Sequence, residues 1–209
     1  GKKINNSNLK ELTLTTNGTL LDKYAKDLKK AGVKRINISL DTLNPSKYKQ
    51  ITRFGDINKV LSGIDSAVKN KIKIKINVVA IKNFNENELA NILSWCGERG
   101  FDVTFIEIMP MGETENYRFN QYLPLNEVRN NLKNKFNLVS SNYKTGGPAR
   151  YEISNKYNIK VGFITPLSNN FCEDCNRMRI TCTGRLYMCL GQEKFIDFKE
   201  ILRNDYSNE

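Results

Sequence analysis

The chain has 209 residues, of which 39% are hydrophobic and 26% charged, with a formal net charge of +11 and no histidine. That length suits one sizeable core, or one domain with an appendage. No run of about 18 apolar residues occurs and the opening GKKINNSNLK has no hydrophobic stretch, so neither a membrane span nor a signal peptide is expected, and the expected compartment is the cytoplasm. The charge suits an anionic partner (nucleic acid, a membrane surface or a phosphorylated small molecule) and equally suits plain solubility.

In chain order, LKELTLTTNG predicts a strand over roughly 9–16. An amphipathic helix follows from Thr19 to Ala31, carrying Leu20, Leu21, Tyr24, Leu28 and Ala31 and stopped by Gly32. VKRINISLD (33–41) is the next strand, then come a helix from about Ile57 to Lys69, the strand KIKINVVAI (73–81) and a helix from Glu86 to Arg99 stopped by Gly100. FDVTFIEIM (101–109) is a fourth strand. After Met109 the rhythm changes to a polar loop, a helix near Leu125 to Lys135 and short strands at 149–154 and 159–164. The alternation of strand and helix predicts an α/β fold on a parallel sheet with right-handed crossovers.

The strands alternate where fully buried parallel strands would read as continuous apolar runs. Leu12 and Leu14 stand against Thr13, Thr15 and Asn17; Ile36, Ile38 and Leu40 against Asn37, Ser39 and Asp41; Ile72, Ile74, Ile76 and Val78 against Lys71, Lys73, Lys75 and Asn77. On the fourth, Thr104, Ile106 and Ile108 stand against Phe105, Glu107 and Met109. Side chains of a strand alternate faces, so the apolar face packs on the helices and the polar face lies opposite. A filled barrel would carry branched apolar residues there; a polar face implies an incomplete or wide barrel with a binding lumen. Thr15, Ser39, Lys75 and Met109 stand near the C-terminal strand ends, where α/β proteins place ligands. In that lumen Lys75 would offer positive charge to a phosphate. Lysines alternating on a strand also fit a solvated edge, and Met109 alone also fits packing.

Four of the five cysteines sit in FCEDCNRMRITCTGRLYMCL (171–190). Cys172 and Cys175 form a C-x2-C pair, and Cys189 follows after thirteen residues. Thiolates so spaced hold a metal centre: a zinc, if Cys182 is a fourth ligand, or a [4Fe-4S] cluster with one open iron on three. Cys182 falls in ITCTGRL, where Thr183-Gly184 reads as a hairpin turn, and a small buried thiol fits there as well as a ligand. Arg177 and Arg179, two apart, can grip phosphate bidentately or can be solvated surface.

This stretch, with TLTTNG, RINISLD, KINVVAIK, FIEIMPMG and GGPARYE in the same order, resembles the radical S-adenosylmethionine GTP 3',8-cyclase family, the molybdenum cofactor biosynthesis protein A family, over nearly the whole chain. The resemblance implies a partial, TIM-like barrel of the radical SAM type over 1–110 and a C-terminal region over 111–209 that binds a second [4Fe-4S] cluster and GTP. It implies Cys172, Cys175 and Cys189 as ligands of that cluster. Thr15, Lys75, Arg177, Met178 and Arg179 match GTP contacts, and Ser39 and Met109 match S-adenosylmethionine contacts. The implied partners are GTP and an electron donor, with no nucleic acid and no membrane; a homodimer is admitted.

The implied reaction is removal of the 3' hydrogen of GTP by a 5'-deoxyadenosyl radical, followed by attack of the ribose carbon on C8 of guanine. The family's first cluster uses a C-x3-C-x2-C motif followed by GGEP, and its members end in Gly-Gly. These 209 residues contain none of the three in place, so a fragment of a longer enzyme, inactive alone in S-adenosylmethionine cleavage, is expected. Two alternatives are a radical SAM peptide-modifying enzyme with an auxiliary cluster and a basic zinc-binding nucleic-acid module. Against the second, the basic residues are spread over α/β elements, with no aromatic-rich strand interleaved with lysines.

Overall fold

A computed structural model describes residues 11–109, 119–168, 177–189 and 194–204. The chain divides into two compact units, residues 1–143 with 149–170 and residues 144–148 with 171–209. In the first unit the elements run β1 (Thr13–Thr16), α1 (Leu21–Lys30), β2 (Arg35–Ser39), α2 (Pro45–Thr52), α3 (Ile57–Lys69), β3 (Lys73–Ala80), α4 (Leu89–Glu98), β4 (Asp102–Glu107), α5 (Leu125–Phe136), β5 (Leu138–Ser140), β6 (Arg150–Ser154) and β7 (Ile159–Ile164). They build a seven-stranded sheet in the order β1-β2-β3-β4-β7-β6-β5. The pairs from β1 to β4, and β4 with β7, are parallel; β7, β6 and β5 run antiparallel to one another. The sheet has two ends, β1 and β5, so the α/β fold with an unclosed barrel is as expected.

Register explains the core. Ile36 pairs with Ile74, Ile38 with Ile76, and Ile76 with Val103, which pairs with Val161; Val78 pairs with Phe105, which pairs with Phe163. These side chains are buried in one cluster with Leu21 and Ala25 of α1, Val60 and Ile64 of α3, Ile92 and Leu93 of α4, and Leu125 and Phe136 of α5. Each fully buried aliphatic or aromatic side chain contributes about 1.5–3 kcal/mol, so these rows define the helix-facing side. α3 spans the expected residues because Asp56 caps it, accepting from the Asn58 amide at 2.9 Å.

The structure corrects three local expectations. α1 buries Leu21 and Ala25, whereas Leu20 and Tyr24 are exposed: its apolar stripe is rotated by one position. The helix expected to begin at Glu86 starts with a 3₁₀ turn (Glu86–Glu88), and its α-helical part begins at Leu89. On β4 the faces are reversed. Val103, Phe105 and Glu107 share the helix-facing parity, and Asp102, Thr104 and Ile106 lie on the side of Lys75 and Asn77. Val103, Thr104 and Phe105 are all buried: Val103 and Phe105 pack in the helix-side cluster, and Thr104, on the other face, lies with the Tyr151 ring beside Gly162.

The second unit holds an antiparallel three-stranded sheet of order β10-β9-β8, from β8 (Arg179–Ile180), β9 (Arg185–Tyr187) and β10 (Phe195–Asp197), followed by α6 (Phe198–Asn204). The turn at Thr183-Gly184 is as expected. Gly184 has φ +86°, which favours glycine, and the Thr181 amide donates to the Arg185 carbonyl at 2.9 Å. No helix among the described residues is long and apolar enough to cross a membrane.

Candidate functional site

The polar side of the first unit's sheet is organised by register into rows. Thr15, Asn37, Lys75 and Asp102 are successive cross-strand neighbours. Ser39, Asn77, Thr104 and Gly162 form the next row toward the C-terminal strand ends. Residues two apart on a strand share a face, so Thr15, Ser39 and Lys75 stand on one surface. Thr15 and Ser39 are exposed and Lys75 is half-buried. Met109 lies two residues beyond the end of β4, half-buried and outside these rows.

Hydrogen bonds fix the first row. The Asn37 amide donates to Thr15 Oγ1 at 3.2 Å, and Arg35 donates to Asn37 Oδ1 and, at 3.3 Å, to Glu11. Lys75 Nζ donates to the Tyr151 hydroxyl at 3.4 Å. In the second row, Asn77 Oδ1 and Thr104 Oγ1 are buried without a hydrogen-bond partner; among the described residues Glu152 Oε2 is the only other such side-chain atom. A buried polar atom left unpaired costs about 1–3 kcal/mol. Both atoms lie on the parity of Lys75 but are closed off from solvent.

Two carboxylates shape the C-terminal strand ends. Asp41 accepts from the Val79 amide at 2.7 Å; burial pushes its carboxyl above the usual carboxylate range, and the Val79 hydrogen bond opposes that rise. Glu107 is 1% exposed and accepts from the amides of Leu125 (3.2 Å), Leu167 (3.1 Å) and Ser168 (3.1 Å), and from the Ser168 hydroxyl. Pro124, before α5, makes no side-chain cap, so Glu107 supplies the acceptor at that helix start. Tyr122 lies beside it; burial first, and the Glu107 charge second, raise its phenol above the ordinary value.

In the second unit Arg177 is half-buried, its Nη2 3.2 Å from where a Cβ on Gly147 would stand, so a bare backbone at Gly147 leaves room for the guanidinium. Arg179 opens β8 opposite Tyr187, and Met178 is exposed. Cys189 is half-buried, two residues past β9, while Cys182 is exposed in the hairpin turn. The buried-thiol alternative for Cys182 is thereby set aside. Cys172 and Cys175 lie outside the described residues. No group of three His, Cys, Asp or Glu converges among the described residues, which omit two of the three expected thiolates.

Asn77, Thr104 and Tyr151 were not among the expected site residues. Asn77 follows Lys75 by two on the same alternating face; Thr104 stands on the face opposite to the expected one; Tyr151 carries no local signal for a contact 76 positions away.

Residues 101–209 match the family model described as Molybdenum Cofactor Synthesis C, and residues 2–96 that of the Radical SAM superfamily. Proteins named GTP 3',8-cyclase from Brucella canis and Brucella suis are each 54% identical over 201 residues, covering 96% of this chain and 58% of the relative. The chain thus spans less than two thirds of the length of these curated relatives. A solved structure of a histidine-tagged "anSMEcpe with bound AdoMet" superposes with TM-score 0.55 over 96% of this chain and 56% of that one, at 17% identity, a likeness of fold. Another, "Native anSMEcpe with bound AdoMet and Cp18Cys peptide", covers 65% of this chain and 39% of its own at 25% identity and TM-score 0.50.

Proposed function

Because the chain belongs to the Molybdenum Cofactor Synthesis C family, we propose that it is part of a GTP 3',8-cyclase that converts GTP to 3',8-cyclo-7,8-dihydro-GTP in molybdenum cofactor biosynthesis. The observation that carries this is the row holding Thr15 and Lys75, which presents a hydroxyl and a cation on the polar face of the sheet. Residues 1–110 act as the partial radical SAM barrel and 111–209 as the region for the second cluster and GTP. Lys75 offers a compact positive charge to the triphosphate and Arg177 and Arg179 offer planar, bidentate donors. Thr15 and Met178 contact the nucleotide, and Ser39 and Met109 contact S-adenosylmethionine.

The donor set fits the second cluster: three thiolates, Cys172, Cys175 and Cys189, in a chain without histidine, with Cys189 half-buried in the unit that also holds both arginines. Such a cluster, when bound, supplies an iron with an open coordination position. The protein's own part is to orient: fixing phosphates and base selects the conformer of the nucleotide in which the ribose carbon lies within reach of guanine C8. The proposal includes an electron donor as partner and a cytoplasmic location, and admits a homodimer. Titration calorimetry with GTP tests it: binding that Lys75→Ala weakens and that a peptide does not compete supports the cyclase, and peptide binding without GTP binding supports the peptide-modifying alternative.

A further inference from the structure

Lys75 and Tyr151 come from strands that are not neighbours. β3 and β6 are separated by β4 and β7, three strand spacings or about 14 Å, yet Lys75 Nζ lies 3.4 Å from the Tyr151 hydroxyl and 6.0 Å from its ring centroid. Both side chains therefore lie along the sheet, across the intervening strands. Register shows what permits this: Tyr151 pairs with Gly162, which pairs with Thr104. A Cβ on Gly162 would stand 2.9 Å from Tyr151 Cε1 and 2.9 Å from Thr104 Oγ1, closer than such atoms approach. Only a bare backbone there lets the ring lie over β7. Tyr143 braces it edge-on, with centroids 5.1 Å apart at 79°. Lys160 stands 4.8 Å from the Tyr143 centroid and 3.8 Å from Asp102.

We propose that Tyr151, seated over Gly162, is a positioning residue that holds the Lys75 ammonium on the polar face for the phosphates of a nucleoside triphosphate. The inference rests on the GTP reading above and adds the element that aims its cation. A lysine has a flexible four-carbon stem, and ordering it during binding weakens affinity. A carboxylate would also hold it but would cancel its charge. A phenol accepts one ammonium hydrogen and leaves the full charge, with two further donors, for the ligand.

The test is calorimetric binding of GTP, of inorganic tripolyphosphate and of guanosine to the full chain and to Tyr151→Phe, Lys75→Ala, the double variant and Gly162→Ala. Expected are GTP and tripolyphosphate affinities weakened roughly two- to ten-fold by Tyr151→Phe, guanosine unaffected, and no added loss when Tyr151→Phe is placed on Lys75→Ala. Gly162→Ala, which displaces the ring without removing the hydroxyl, gives a similar loss. Normal affinity in Tyr151→Phe while Lys75→Ala is weakened overturns the positioning role alone. Unchanged binding in Lys75→Ala overturns the triphosphate reading itself. A loss in Tyr151→Phe that persists undiminished in the Lys75→Ala background shows that Tyr151 acts by another route and overturns the proposal.

Discussion

Replacing Glu107 by alanine removes the acceptor shared by three backbone amides and one hydroxyl. Leu125 is wholly buried, so its amide loses the only acceptor shown for it and no water reaches it in compensation; an orphaned buried donor costs about 1–3 kcal/mol. Leu167 is 50% exposed and Ser168 is exposed, so water replaces part of what those amides lose, leaving a net cost of about 1 kcal/mol each. The sum is about 3–5 kcal/mol, which in a chain of this size lowers Tm by roughly 6–20 °C. Glu107→Gln keeps one acceptor oxygen and loses about half as much. Urea unfolding followed by far-UV circular dichroism gives both values. A Glu107→Ala protein within about 1 kcal/mol of wild type, or a glutamine variant no better than alanine, would refute the assignment of Glu107 as the cap of α5 and the tether of residues 167–168.

Asp41 gives a pH dependence of known sign. Its folded carboxyl titrates above the unfolded value near 3.8. As pH rises through that window the unfolded chain ionises first, and the folded state loses stability until its own carboxyl has ionised. Asp41→Asn keeps an acceptor for the Val79 amide and removes the titration, so thermal melts should show it at least as stable as wild type at neutral pH, with the gap closing toward pH 4; a gap that widens on acidification contradicts this. Cys96 is fully buried and burial pushes its thiol far up, whereas Cys182 is exposed. A maleimide should therefore label Cys182 in the native chain and Cys96 only after unfolding, and equal labelling rates would show that α4 opens. Cys182→Ser should retain iron, because an exposed turn thiol is not needed by a three-thiolate cluster; loss of iron would make it a ligand.

Local signals were legible wherever a short stretch determines its own structure. α3 was bounded correctly because a capping aspartate precedes a clean helical period, and the hairpin turn because Thr183-Gly184 needs a positive φ. α2, not among the expected elements, also carries a local signal: Asn44 caps it, accepting from the Ser46 and Lys47 amides, with Pro45 opening the helix. The polar rows followed from alternation on β1, β2 and β3, where only one face is apolar. On β4 the same rule failed, since Thr104, Ile106 and Phe105 offer no clean contrast and β7 arrives beside it from 58 residues away. Distance along the chain also hid Glu107 as a cap 18 residues upstream of Leu125 and Tyr151 as the partner of Lys75. Such contacts are set by strand order, which local periodicity does not encode.

The most direct measurement is the iron and acid-labile sulfide content of the chain after anaerobic reconstitution, beside that of Cys189→Ala. About four irons with matching sulfide, lost in the variant, is the result the three-thiolate cluster predicts. One tightly held zinc without sulfide would contradict it and return Cys182 to the list of ligands.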